Sequence, residues 1–207
     1  MNPFSTLTAC AVPIDQPNVD TDQILPARFL KKSRNDPDYH RYLFHDLRFD
    51  DQGAAKPDFI LHQKVYQGAG ILVADRNFAC GSSREAAVYA LMANSIRCVI
   101  APSFGDIFFS NSFKNGNLLI IVTEELSADL RRQLRDQPGA AMTIDLPGQI
   151  MTAPNGKKIS FEIDPARKQR LLEGLDDITL TLQYENDIAG YEDRRKSKNA
   201  WSIPVMA

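Results

Sequence analysis

Between residues 70 and 122 the chain alternates short apolar runs with helix-forming segments, and that alternation limits it to few folds. Ile71-Leu72-Val73-Ala74, Ile96-Arg97-Cys98-Val99-Ile100-Ala101 and Leu118-Leu119-Ile120-Ile121-Val122 are short and biased to β-branched residues, the pattern of buried strands. Residues 84–92 are rich in helix formers, and 103–114 read as a second helix stopped by Asn115-Gly116. Strand, helix, strand, helix, strand predicts a parallel α/β unit with right-handed crossovers.

Around this unit the pattern is less regular. A charged helix is expected over 127–136, stopped by Pro138-Gly139, then β-structure at 142–146 and 150–163 with a turn at Pro154-Asn155-Gly156. Residues 166–195 are mostly charged and helical in part, reading as a packed tail and not a second domain. The first sixty residues read as irregular, and 31–41, with Asn35-Asp36-Pro37-Asp38 inside, as a mobile surface loop.

With 207 residues, 43% hydrophobic and 24% charged, the chain suits one large soluble domain. The net charge of −2 contains no long run of one sign, so nucleic acid is not the expected partner. No basic stretch followed by an apolar run opens the chain, and no segment has the roughly 18 apolar residues of a membrane span. Cys10, Cys80 and Cys98 are odd in number and widely spaced, which argues against a disulfide scaffold and for the cytoplasm. His40, His45 and His62 have no metal-ligand spacing; Gly68-Ala69-Gly70 lacks the third small residue of a dinucleotide fingerprint, and no Walker A sequence occurs.

Gly81-Ser82-Ser83-Arg84-Glu85 falls where the first predicted strand passes into the first predicted helix, the usual ligand position of an open parallel sheet. As a pattern, Ser82 and Glu85 form a capping box. The same place also suits a ligand. A helix N-terminus attracts carboxylates, and Arg84 adds a planar fork for binding one through two hydrogen bonds. A serine there acts as a base only where that positive field stabilises its alkoxide.

These residues resemble the G-S-S-R-E motif of the aconitase superfamily's swivelling domain. Two further blocks agree in order. Asn18-Val19-Asp20-Thr21-Asp22-Gln23-Ile24-Leu25-Pro26-Ala27-Arg28-Phe29-Leu30 resembles D-T-D-x-I-x-P-x-x-F-L. Ala101-Pro102-Ser103-Phe104-Gly105-Asp106-Ile107-Phe108, with Asn111 and Lys114-Asn115-Gly116, resembles A-P-S-F-x-D-I-F…N…N-G. The stretch from Gly174 to Leu182, with Tyr191-Glu192, is similar to the C-terminus of bacterial isopropylmalate isomerase small subunits, so the resemblance covers nearly the whole chain.

The resemblance implies a swivelling β/β/α domain over 1–182, with a partly helical C-terminal tail over 183–207. It implies a hydro-lyase subunit of leucine biosynthesis that interconverts 2- and 3-isopropylmalate by dehydration and rehydration. Ser82 carries over as the base, and Ser83 and Arg84 as substrate-holding residues, with Gly81 and Glu85 supporting them. An arginine after the N-terminal block binds substrate in the superfamily; Arg34 is the nearest candidate and Arg41 competes, with Asp20 or Asp22 able to position it or to make turns. The family uses a 4Fe-4S cluster whose open iron polarises the departing hydroxyl. Such a cluster needs about three cysteines with a close pair, which this chain lacks. The cluster is therefore expected on a large-subunit partner, with no metal or cofactor on this chain.

Ala86 stands where the family usually has histidine, Ala79 where glycine is common, and Asn117 and Ile120 interrupt its N-G-L-L-P. These departures keep open a related substrate (methylmalate/citraconate, dimethylmalate or homoaconitate) and a non-catalytic binding paralogue.

Overall fold

The structure, a computed structural model, describes residues 1–81, 84–198 and 201. Along the chain come β1 (Thr6–Ile14), the short helices α1 (Thr21–Ile24) and α2 (His45–Arg48), then β2 (Ile71–Ala74), α3 (Glu85–Ala93), β3 (Cys98–Ala101), α4 (Asp106–Lys114), β4 (Leu118–Ile121) and α5 (Glu124–Asp136). There follow β5 (Ala141–Asp145), β6 (Ile150–Thr152), β7 (Lys158–Ser160), α6 (Pro165–Glu173), α7 (Asp177–Leu182) and α8 (Glu185–Lys198). The strands form one seven-stranded sheet in the order β4-β3-β2-β1-β5-β6-β7. As the alternation of residues 70–122 predicts, β2, β3 and β4 pair in parallel. Every residue of β2 and β3 is buried, which is why they read as unbroken apolar runs. Helix α5 lies across β1, β2 and β3, while α3 and α4 pack on each other.

The middle of the sheet corrects the reading of the first sixty residues as irregular. β1 joins the two halves: Thr6 to Cys10 pair antiparallel with β5, and Ala11 to Ile14 pair parallel with β2. Its signal is weak because its first half carries small or polar side chains, and its second half contains Pro13, a residue that normally argues against a central strand. The 31–41 segment lies mostly exposed at the surface, as the sequence predicts, with Tyr39 buried near its end. It runs into a 3-10 turn, Tyr39–Tyr42, whose two tyrosines are buried and meet edge to face at 5.5 Å, with Phe29 stacked on Tyr42 at 4.3 Å.

The tail divides in two. Asp164 caps α6 by accepting from the Arg167 N–H at 2.9 Å, Pro165 occupies the first turn, and the buried Leu171 accepts through its carbonyl from the Phe4 N–H at 2.8 Å. Helices α7 and α8 bury no residue. Ile178, Leu182 and Tyr191 on them and Tyr184 between them stay exposed, so the packed tail expected from sequence ends near α6. Among the described residues no helix is long and apolar enough to cross a membrane.

Arg131 of α5 ties the strand ends that carry the loops described below. Buried to 8% exposure, it donates to Asp15 beyond β1 at 2.8 Å and pairs with Asp75 beyond β2 at 3.1 Å. Replacing it with methionine keeps the packing and takes the ion-pair partner from Asp75, which is only 20% exposed, while Asp15 keeps its pair with Arg135. Arg131→Met is expected to cost about 2–3 kcal/mol, below the range for fully buried pairs because Asp15 keeps water contact. Urea unfolding of the two proteins measures it, and a loss under about 0.5 kcal/mol would remove the tie from the account.

Candidate active site

Beyond the C-terminal ends of β1, β2 and β3, the three blocks of the resemblance meet. The central segment, 77–81, is gripped from both sides. On one side the Asn18 N–H donates to the Arg76 carbonyl, the Cys80 N–H to the Val19 carbonyl and the Thr21 N–H to the Cys80 carbonyl, at 3.0, 3.2 and 2.9 Å. On the other, the Phe78 N–H donates to the Ser103 carbonyl and the Gly105 N–H to the Phe78 carbonyl, both at 3.0 Å. The Asn77 N–H adds a 2.8 Å bond to Ser103 Oγ, and its side chain reaches Asn18 Oδ1 at 2.9 Å.

This grip holds an unusual backbone. Asn77, Ala79 and Gly81 have φ of +57°, +57° and +90°, and Asn18 opposite has +55°. Asparagine and glycine take such angles readily, whereas alanine is held there at a cost of about 1 kcal/mol. Gly81, at the end of this segment, is exposed. Helix α3 begins at Glu85 with Arg84 as its N-cap and no side-chain cap bond. Glu85 is therefore the first residue of the helix and not the third, as a capping box requires. Its Oε1 instead accepts from Asn115 Nδ2, 2.7 Å away at the end of α4. Ser82 and Ser83 lie outside the described residues.

Arg84, with its side chain 19% exposed, is paired through Nη1 with Asp22 Oδ1 of α1. Asp22 thus positions Arg84 and not an arginine of the 31–41 segment. Asp20 has the local role: its Oδ1 accepts from the Gln23 N–H at 2.7 Å while Gln23 Oε1 accepts from the Asp20 N–H at 3.0 Å, a capping box on α1. The two competing arginines separate cleanly. The Arg34 guanidinium lies 3.6 Å above the ring of Tyr89 on α3, whereas the Arg41 guanidinium lies 5.3 Å from the ring of Phe49. Tyr89 escaped sequence reasoning; its position four residues after Glu85, on the same helix face, was the available signal.

A cavity of about 350 Å³ opens between Ala79, Cys80 and Gly81 on one wall and Phe104, Gly105 and Ile107 on the other. A larger one of about 540 Å³, beside Phe113, Ile121 and Arg167, holds none of the predicted residues. The cysteines do not form a ligand set. Cys98 is wholly inside β3, where burial pushes its thiol well above the usual range; Cys10 faces the Val65 carbonyl, its thiol also raised by burial; Cys80 lies by Asn18. Among the described residues no group of three His, Cys, Asp or Glu side chains can hold a metal ion, so these residues do not fit a cluster. Two of the departures from the family pattern serve the fold: Asn117 is buried and donates to the Ile96 carbonyl at 3.1 Å, and Ile120 is an interior residue of β4.

Family comparison agrees with this geometry. A model described as the aconitase C-terminal domain matches residues 1–125, and a LeuD_N model matches 128–165. A third, for the C-terminal domain of the 3-isopropylmalate dehydratase small subunit, matches 177–201. The 3-isopropylmalate dehydratase small subunit of Paramagnetospirillum magneticum is 48% identical over 201 residues, covering 97% of this chain and 100% of its own. That of Rhodospirillum centenum is 47% identical over 203 residues, with 98% and 100% covered. The crystal structure of 3-isopropylmalate dehydratase (leuD) from Methanocaldococcus jannaschii superposes with a TM-score of 0.62 at 26% identity, over 90% of this chain and 99% of that one. With its sheet, its gripped motif segment and its full-length relatives in agreement, the chain belongs to the 3-isopropylmalate dehydratase small-subunit family of the aconitase superfamily.

Proposed function

We propose that this chain works as the small subunit of 3-isopropylmalate dehydratase, a hydro-lyase of leucine biosynthesis, in the cytoplasm and together with a large subunit. Its match to small subunits of that name along their whole length, with Gly81-Ser82-Ser83-Arg84-Glu85 intact, carries the reading. Residues 1–182 act as the swivelling domain and 183–207 as an appended tail. The 4Fe-4S cluster belongs to the large subunit, where it supplies Lewis acidity to the substrate hydroxyl.

The reaction removes a proton from the carbon beside a carboxylate and a hydroxide from its neighbour, leaving a double bond that water then adds across with the opposite regiochemistry. Ser82 takes the proton. Ser83 and Arg84 hold the adjacent carboxylate, Arg84 being fixed through Nη1 by Asp22. The N-terminus of α3 adds its positive dipole end, which favours both that carboxylate and an ionised serine. Arg34 binds the far carboxylate, and Gly81 and Glu85 support the motif.

Co-expression with the large subunit of the same genome and anaerobic cluster reconstitution test this. Turnover of isopropylmalate well above methylmalate, dimethylmalate and homoaconitate is the expected result. Preference for another diacid moves the substrate and directs attention to Ala86 and to 29–42. An assembled, cluster-bearing complex that turns over no diacid leaves a binding paralogue.

A further inference from the structure

We infer that Tyr89 is a positioning residue that seats Arg34 beside the motif helix, offering its ring face to the guanidinium while the in-plane N–H groups stay directed at substrate. The inference rests on the reading of Arg34 as a substrate ligand and adds what orders it.

An arginine on an exposed segment has many rotamers, and binding an anion through one of them loses that freedom. Arg34 is exposed, in a stretch without regular structure. Its only ordering contact near α3 in the described structure is the ring of Tyr89, at 3.6 Å from the guanidinium carbon to the centroid. A cation held over an aromatic face uses the face of the guanidinium. The edges, which carry the donors that clasp a carboxylate through two hydrogen bonds, are not consumed. Stacking and carboxylate binding are thus compatible, unlike pairing with an acidic side chain.

The ring is itself fixed. Tyr89 is half-buried, and burial, together with the Glu85 carboxylate beside its hydroxyl, holds the phenol above its ordinary pKa. Glu85 is held by Asn115 Nδ2 at 2.7 Å, and that amide also donates to the Asn111 carbonyl at 2.9 Å. The segment carrying Arg34 is docked a second time at the far end of α3, where Asn94 Nδ2 donates to the His40 carbonyl at 2.8 Å. All three family blocks join in this chain of contacts: Arg34 follows the first, Glu85 closes the second and Asn115 ends the third.

The test uses Tyr89→Leu, Tyr89→Trp, Arg34→Ala and the Arg34→Ala/Tyr89→Leu pair in the reconstituted two-subunit enzyme. Tyr89→Leu is expected to raise KM about five- to tenfold with kcat within about twofold, and Tyr89→Trp to restore it. Adding Tyr89→Leu to Arg34→Ala should change KM no further. A KM effect of the same size in the Arg34→Ala background, or no rescue by tryptophan in a folded protein, overturns the inference while leaving the dehydratase reading intact. Trypsin digestion of the full-length small subunit gives a readout independent of turnover. Tyr89→Leu should speed cleavage after Arg34 several-fold, and an unchanged rate there also overturns the seating. A wild-type enzyme inactive on every diacid counts against the dehydratase reading, and the cleavage rates still decide the seating.

Discussion

In the assembled enzyme, Ser82→Ala is expected to lower kcat by about 10²- to 10⁴-fold with little change in KM. The expectation follows from what a methyl group in place of the hydroxyl removes. The side chain loses its only proton acceptor, while Ser83 and Arg84, proposed to hold the carboxylate, keep their donors. Arg84 remains paired with Asp22, and the 77–81 segment remains gripped by backbone bonds to the 18–21 and 103–105 segments. Ser83→Ala is the contrast: a substrate-holding hydroxyl lost should appear mainly in KM. Steady-state kinetics on both variants, with complex formation checked by gel filtration, separates the roles. Unchanged turnover of Ser82→Ala in an intact complex would take the proton transfer away from this residue. Equal losses from both serines would mean that neither role is assigned correctly.

The parts of this architecture that were legible in sequence are those whose signal is local. β2, β3 and β4 are buried in a parallel sheet and so appear as apolar runs, and α4 ends at Asn115-Gly116 where expected. β1 is hidden because its two halves answer to different neighbours, and no single period describes it. The candidate site divides the same way. Its three blocks could be read off, but which carboxylate holds which arginine could not. The Asp22–Arg84 pair spans 62 residues, and Asp20, two positions away with the same chemistry, is spent on a helix cap. The capping box at Ser82 and Glu85 matched in spacing, but α3 starts with Arg84 as its N-cap, which makes Glu85 its first residue and not its third. Arg34 was the nearer candidate in sequence and Arg41 its competitor, and the ring that each one meets could not be read there.

The grip on the motif segment makes a second large effect expected, at a residue that carries no chemistry. Gly105 has an ordinary φ of −64°, so an alanine there is not opposed by its own backbone. What opposes it is proximity. A Cβ built at Gly105 would stand 2.3 Å from the Ala79 carbonyl oxygen, 3.1 Å from the Ala79 carbonyl carbon and 3.3 Å from Cys80 Cα. All three are main-chain atoms, and none can swing aside as a side chain does. Either the Phe78–Gly105 bond breaks or the segment leading to Gly81 moves by about 1 Å, a displacement that costs on the order of 10²-fold in rate where reacting groups are aligned. Gly105→Ala is thus expected to lower kcat/KM about 10²-fold and stability by about 1–3 kcal/mol. Gly190→Ala supplies the comparison. There the new Cβ meets only Arg194 Nη1, at 3.5 Å, inside the exposed helix α8, and a gain of about 0.5–1 kcal/mol is expected from helix propensity. Urea unfolding and kinetics on the two variants give opposite signs if close backbone approach is what aligns the site. Wild-type kcat/KM in Gly105→Ala would mean that the 77–81 segment tolerates movement, and the alignment would then have to come from contacts with the large subunit.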